Sequence, residues 1–230
     1  MADEKSADKN FYLPAAILIA AFVIGGSLVY SANMQKGNTT ADNTNPPVVN
    51  GSRVEFTITE NDHIRGNPNA EITLVEFSDL ECPFCKAFHP TAQQALDEYG
   101  DKIRWVYKHF PLDNIHPKAD KEAEAAECAG ELGGNDKFWE YVDRVFEATP
   151  SNNGLDPVLL PQMAQDLGLD RTKFEACLNS GKYASRVEAD YQQGLKAGVT
   201  GTPGSFLNGV PVRGAVPYAV LKATIDAELK

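Results

Sequence analysis

The chain has 230 residues, 43% of them hydrophobic and 23% charged, and a formal net charge of -11. That composition belongs to a globular protein and argues against a fibre or a largely disordered chain. The acidity repels phosphate backbones, which sets nucleic acid aside as a partner.

Residues 1–10 hold Lys5 and Lys9 and are expected on the cytoplasmic side. Residues 11–30, FYLPAAILIAAFVIGGSLVY, contain no charge. As a helix this stretch spans roughly 30 Å, the thickness of a bilayer core. It predicts an N-terminal transmembrane helix, a signal anchor for a single-pass protein of the cell membrane with the domain that follows it extracytoplasmic. Two lysines before the span against Lys36 after it set that orientation. Cleavage before Ala32 stays open, because Val29 and Ser31 are small. Residues 31–53 are polar, rich in Asn and Thr, and include Pro46-Pro47, which reads as a flexible linker.

One domain is expected over residues 54–230. Ile72 to Phe77 reads as a buried strand, apolar except for Glu76. Cys82-Pro83-Phe84-Cys85 follows. Pro83 suits a first helical position, so a helix is expected over Pro83 to Tyr99, kinked at Pro90. Cys82 then sits at a helix N-terminus, where unpaired amides and the helix dipole favour negative charge and lower a thiol pKa. The thiolate is the attacking species in disulfide exchange. Cys82 is therefore expected to be open to passing proteins, with Cys85 shielded one turn inside. A structural staple and half a zinc site are the competing readings. Against zinc, Cys128 and Cys177 stand alone and no second ligand pair is visible.

Ile103 to Lys108 reads as a second strand with Ile103, Trp105 and Tyr107 alternating. A helical insert is expected over about residues 115–197. Its apolar stripes are Ala125, Cys128, Ala129 and Leu132, then Phe138, Trp139, Val142, Val145 and Phe146, then Phe174, Cys177 and Leu178. Breaks are expected at Pro150 to Gly154 and at Gly168. Ser205-Phe206-Leu207 and Val210-Pro211-Val212, joined by Asn208-Gly209, read as a hairpin. Leu221, Ile225 and Leu229 mark a closing helix. The fold class is α/β.

Leu74 to Asp79, then Glu81-Cys82-Pro83-Phe84-Cys85-Lys86, then Gly201-Thr202-Pro203 ahead of Phe206 together resemble the DsbA-type thioredoxin superfamily. The resemblance covers roughly residues 54–230. It implies a thioredoxin fold with a helical insertion and a thiol:disulfide oxidoreductase. Cys82 would attack, Cys85 would resolve, and Thr202-Pro203 would be a cis-proline loop facing the pair. Glu76 matches a buried glutamate of the family and is expected to accept the Cys85 proton, with Lys108 a possible partner. No cofactor is expected beyond the redox-active Cys82-Cys85 disulfide, and no metal. The implied partners are protein thiols or disulfides as substrates, and a membrane electron-transfer partner, with the chain itself a monomer. Phe84 stands where the most oxidising members carry histidine and cannot donate to the Cys82 thiolate, so oxidase and reductase directions both stay open. So does a non-catalytic module holding copper(I). Cys128 and Cys177 are either buried thiols or a second bridge of the kind some relatives carry.

Overall fold

The computed structural model describes residues 53–230. The expected transmembrane span and nearly all of the linker lie outside the described residues. Among the described residues no helix is long and apolar enough to cross a membrane.

Five strands form one sheet: β1 (His63–Gly66), β2 (Ile72–Ser78), β3 (Ile103–His109), β4 (Gly204–Leu207) and β5 (Val210–Arg213), in the order β1-β3-β2-β4-β5. Only β2 and β3 run parallel; the remaining neighbours are antiparallel. The β2–β3 crossover is helix α1 (Pro83–Tyr99), and the chain between β3 and β4 is the helical insertion. That insertion comprises α2 (Ala119–Ala148), α3 (Leu159–Asp166), α4 (Arg171–Ser180) and α5 (Ala184–Lys196), and α6 (Tyr218–Glu228) closes the chain.

Period-2 alternation divides the sheet's side chains between two cores. Ile72, Leu74, Trp105, Tyr107, Leu207 and Val212 face α1, α2 and α6. Val75, Phe77, Val106 and Phe206 face the other way, toward Phe110, Val199 and Tyr191 of α5. Each fully buried large apolar side chain contributes about 1.5–3 kcal/mol, so both faces of β2 and β3 are held by packing. α1 continues through Pro90, where a kink was expected.

Two features were not expected. Gly134, at φ 79°, divides α2 into two helical runs. The next residue, Asn135, accepts the Ile64 amide at 3.1 Å and donates to the Ile64 carbonyl at 2.7 Å. Those groups lie on the outer edge of β1, so the break in α2 satisfies an open sheet edge. β1 itself is too short and too polar to read as a strand from sequence.

Cys128 and Cys177 are joined in a disulfide, with Cα atoms 5.9 Å apart, linking α2 to α4. This resolves the alternative left open by the sequence.

Candidate active site

The site lies at the C-terminal end of β2, where the chain turns into α1. Cys82 is the N-cap of α1 in extended conformation, Pro83 follows at the first helical position, and the Cys82 carbonyl accepts the Lys86 amide at 3.1 Å. The turn is closed by the Cys82 amide donating to the Asp79 carbonyl at 3.1 Å. Both thiols are free. Cys85 is fully buried, as expected of a shielded thiol. Cys82 is only 3% exposed, so the expectation of an open attacking sulfur is corrected. The reason is the loop opposite: the Cys82 thiol donates to the Thr202 carbonyl at 3.5 Å. Thr202-Pro203 is a cis peptide bond. Phe84, between the cysteines, is 63% exposed.

The two thiols are held at opposite ends of the acidity range. The Cys82 pKa is lowered to about 6, chiefly by the Cys85 thiol hydrogen-bonding to it. Burial works against that, while Thr202 and the amides of Phe84 and Cys85 assist. The Thr202 hydroxyl has no other partner, so it is free to donate when Cys82 ionises and its bond to the carbonyl is lost. Cys85 is pushed well up, first by burial, then by the hydrogen bond and charge of Cys82 and by the charge of Glu76. The Asp79 amide donates to the Cys85 sulfur at 3.4 Å.

Glu76 is fully buried, and both its carboxylate oxygens lack a hydrogen-bond partner. Burial raises its pKa to about 7, with Ser78 and Trp105 opposing and the charge of Cys82 adding to the rise. Lys108 does not reach it. Glu76 pairs in register with Tyr107, and Lys108 with Phe77, so alternation sends the lysine to the other face. There its Nζ bonds Asp62, and Asp190 at 3.0 Å.

Sequence reasoning passed over three residues. Asp79 Oδ1 accepts the Glu81 amide at 2.8 Å, and Oδ2 accepts the Leu112 amide and His116 Nδ1, each at 2.8 Å. Burial works against a charged His116, but Asp79 and the nearby Cys82 more than offset it and raise its pKa. Glu81 is fully buried, and its carboxylate accepts the Asn153 amide and, at 3.3 Å, the Leu155 amide. Its carbonyl accepts the Asn152 amide at 2.8 Å. Ser151, Asn152 and Asn153 all have positive φ, and the turn they make aims the amides of Asn152, Asn153 and Leu155 at Glu81. Lys118 Nζ ties down the Asn153 and Leu155 carbonyls at 2.7 Å. The only signal in the sequence was the pair of acids, Asp79 and Glu81, just before Cys82.

The chain matches the Thioredoxin family model over residues 58–227. The chain belongs to the thioredoxin family. Within that family it is a DsbA-like thioredoxin-fold protein. It is similar to the solved structures of Pseudomonas aeruginosa DsbA2 (29% identity, TM-score 0.64, covering 74% of this chain and 96% of that one). It is likewise similar to BdbD from Bacillus subtilis in its oxidised form (26% identity, TM-score 0.65, covering 73% and 92%). Among curated relatives, the Na(+)/H(+) antiporter NhaA 3 of Salinispora tropica is 35% identical over 176 residues, covering 74% of this chain and 26% of that protein. The chain thus spans about a quarter of the length of that relative.

Proposed function

We propose that this thioredoxin-family chain exchanges disulfides with protein substrates through Cys82 and Cys85, acting as an oxidase outside the cytoplasm. The observation that carries the reading is the placing of Cys82. It is a helix N-cap thiol with a depressed pKa, set against the cis Thr202-Pro203 loop and above a buried, protonated Cys85.

The chemistry follows from those inequalities. In the oxidised protein a substrate thiolate attacks Cys82 Sγ and the Cys82–Cys85 bond breaks. Cys85 leaves with the electron pair and takes a proton from Glu76. A second substrate thiolate attacks the mixed disulfide, and Cys82 leaves as a thiolate that the helix amides and Thr202 stabilise. The substrate loses two electrons, and the cysteine pair, which needs no other cofactor, gains them. A low-pKa leaving group stabilises the reduced protein, which favours the oxidising direction. Thr202 and Pro203, the latter without an amide hydrogen, would present a backbone edge to the extended substrate.

A membrane partner would reoxidise the pair, and residues 11–30 would hold the domain at the membrane. The similarity to DsbA2 and BdbD supports the extracytoplasmic setting. The antiporter names describe those longer proteins, and ion transport is not part of this proposal.

The test is exchange with a reduced, unfolded protein. Cys82→Ala should abolish it, and Cys85→Ala should accumulate mixed disulfides with substrate. Equal residual activity in the two variants would contradict the roles. Equilibration with glutathione then separates oxidase from reductase.

A further inference from the structure

The cis Thr202-Pro203 loop, besides touching Cys82, lines a groove of about 420 Å³ together with the start of β4 and the end of β5. The register pairs Phe206 with Pro211 and Gly204 with Arg213. Directly paired residues share a face, as do alternate residues of one strand. These four therefore lie on the face of the second core, to which Phe206 belongs. Glu76 pairs with Ser205 and belongs to the opposite face. The groove's apolar wall, Phe206 and Pro211, thus lies across the sheet from Glu76. The groove is also short of side chains. Gly198, Gly201, Gly204 and Gly214 all line it. A Cβ at Gly198, Gly201 or Gly214 would meet nothing within 4 Å, so the space over them is open. A Cβ at Gly204 would come within 2.6 Å of Val199 Cγ1, so packing keeps that position bare. Bare backbone beside an apolar wall lets an extended polypeptide come close.

Charge singles out the occupant. Among the described residues that line the groove, Arg213 alone is charged, and no acid lines it. Arg213 is exposed. Its cross-strand neighbour is Gly204, which has no side chain, and β5 is an edge of the sheet. The Gly214 amide donates to the Pro203 carbonyl at 3.2 Å, which ties the backbone beside Arg213 to the cis-proline loop. The same loop places the Thr202 carbonyl 3.5 Å from Cys82 Sγ. Two residues along β4 and one strand spacing separate Thr202 from Arg213, on the order of 10 Å, or about three residues of extended chain.

The geometry points to Arg213 as a specificity-determining residue: the groove takes the stretch of substrate chain beside the reacting cysteine and favours a carboxylate side chain roughly two to four residues from it. The inference rests on the proposed exchange at Cys82 and names the substrates that exchange prefers, those acidic beside the cysteine. The chain's own net charge of -11 acts the other way at long range and draws basic substrates. The preference at Arg213 is therefore local, and depends on where a charge sits in the substrate rather than on the substrate's total charge.

The test is thiol–disulfide exchange at equilibrium. Full-length Cys85→Ala protein carries one single-cysteine peptide as a mixed disulfide on Cys82 and is mixed with a second such peptide. One disulfide breaks, one forms, and no net electrons move. The two peptides have identical composition. The first holds Glu about three residues from its cysteine and Lys at its far end, and the second has the two exchanged; separate pairs place the nearer residue before and after the cysteine. Peptide thiol acidity cancels when the same pair is compared across proteins. Measured against Arg213→Gln, the protein with Arg213 should favour the first peptide about two- to fivefold, the scale of an exposed ion pair. Arg213→Glu should favour the second, and about 1 M salt should erase both preferences. If all three proteins give the same ratio for every pair, the assignment of Arg213 is overturned and exchange at Cys82 stands. If no peptide forms a mixed disulfide on Cys82, the exchange reading fails and the preference fails with it.

Discussion

The carboxylate of Glu81, the residue before Cys82, accepts the backbone amide of Asn153 in the loop that follows α2. The helical insertion thereby grips the turn that presents the attacking sulfur, and Asp79 grips the same turn from the other side through Leu112 and His116. Glu81→Ala removes an acceptor of two amides at a fully buried position. A hydrogen bond contributes about 0.5–1.5 kcal/mol net, so losing two should cost roughly 1–3 kcal/mol in urea unfolding. A change below about 0.5 kcal/mol, the scale of an ordinary surface substitution, would contradict the clamp.

The conformation of the clamp makes its own demand. Asn153 has φ 65°, a region glycine enters freely and β-branched residues resist. Asn153→Gly should fold with near wild-type stability, and Asn153→Val should lose about 1 kcal/mol or more. Equal stability of the two variants in thermal melts would contradict the strained geometry.

The Cys128–Cys177 bridge has a sequence separation of 49 residues. Loop-closure entropy for a ring of that size gives about 4 kcal/mol, and measured bridges typically give about 2–4 kcal/mol. Cys128→Ala with Cys177→Ala should therefore lower stability by roughly 3 kcal/mol while leaving exchange at Cys82 and Cys85 measurable. A melting temperature that did not move would contradict a structural role for the bridge.

Glu76 makes stability depend on pH. Its folded pKa of about 7 lies above the ordinary value of 4.5, so between those limits the folded state holds more protons than the unfolded chain. Its contribution is fully present below the ordinary value and is lost as pH rises toward the folded value. Glu76→Gln cannot ionise and should escape that loss. At about 1.36 kcal/mol per pKa unit, the rise from 4.5 to about 7 should give it roughly 3 kcal/mol over wild type between pH 4.5 and pH 8. Parallel pH–stability curves for the two proteins would contradict burial of an unpaired carboxylate.

Much of this was legible in the sequence, and the reason is locality. The Ile72 to Phe77 run, Pro83 after Cys82, and Asn208-Gly209 each act within a few residues of themselves, and β2, α1 and the β4–β5 hairpin formed where they were expected. What could not be read depends on which distant residue arrives. Lys108 was a candidate partner for Glu76, yet strand alternation sent it to Asp62 and Asp190. The Gly134 break has meaning only because Asn135 meets the edge of β1. Asp79 and Glu81 entered only as part of the motif around Cys82, and the amides of Leu112 and Asn153 that their carboxylates accept come from the distant insertion. The burial of Cys82 has the same origin, since the Thr202 loop covering it lies 120 residues away in the chain.

Thr202 offers a check on how the thiolate is held. Thr202→Val keeps the shape and removes the donor that assists Cys82 ionisation. Its Cys82 pKa should rise by about half to one unit, the scale of a single hydrogen bond. An unchanged value would leave the helix amides and Cys85 as the whole cause.

The central claim is that Cys82 is a thiolate at neutral pH while Cys85 is not. Absorbance of the reduced protein at 240 nm, followed across the pH range with Cys82→Ala as the blank, measures it directly. The account requires a single ionisation with a midpoint near 6, absent from the Cys82→Ala protein. A midpoint near the free-cysteine value of about 8.5, or an equal signal from the variant, would contradict it.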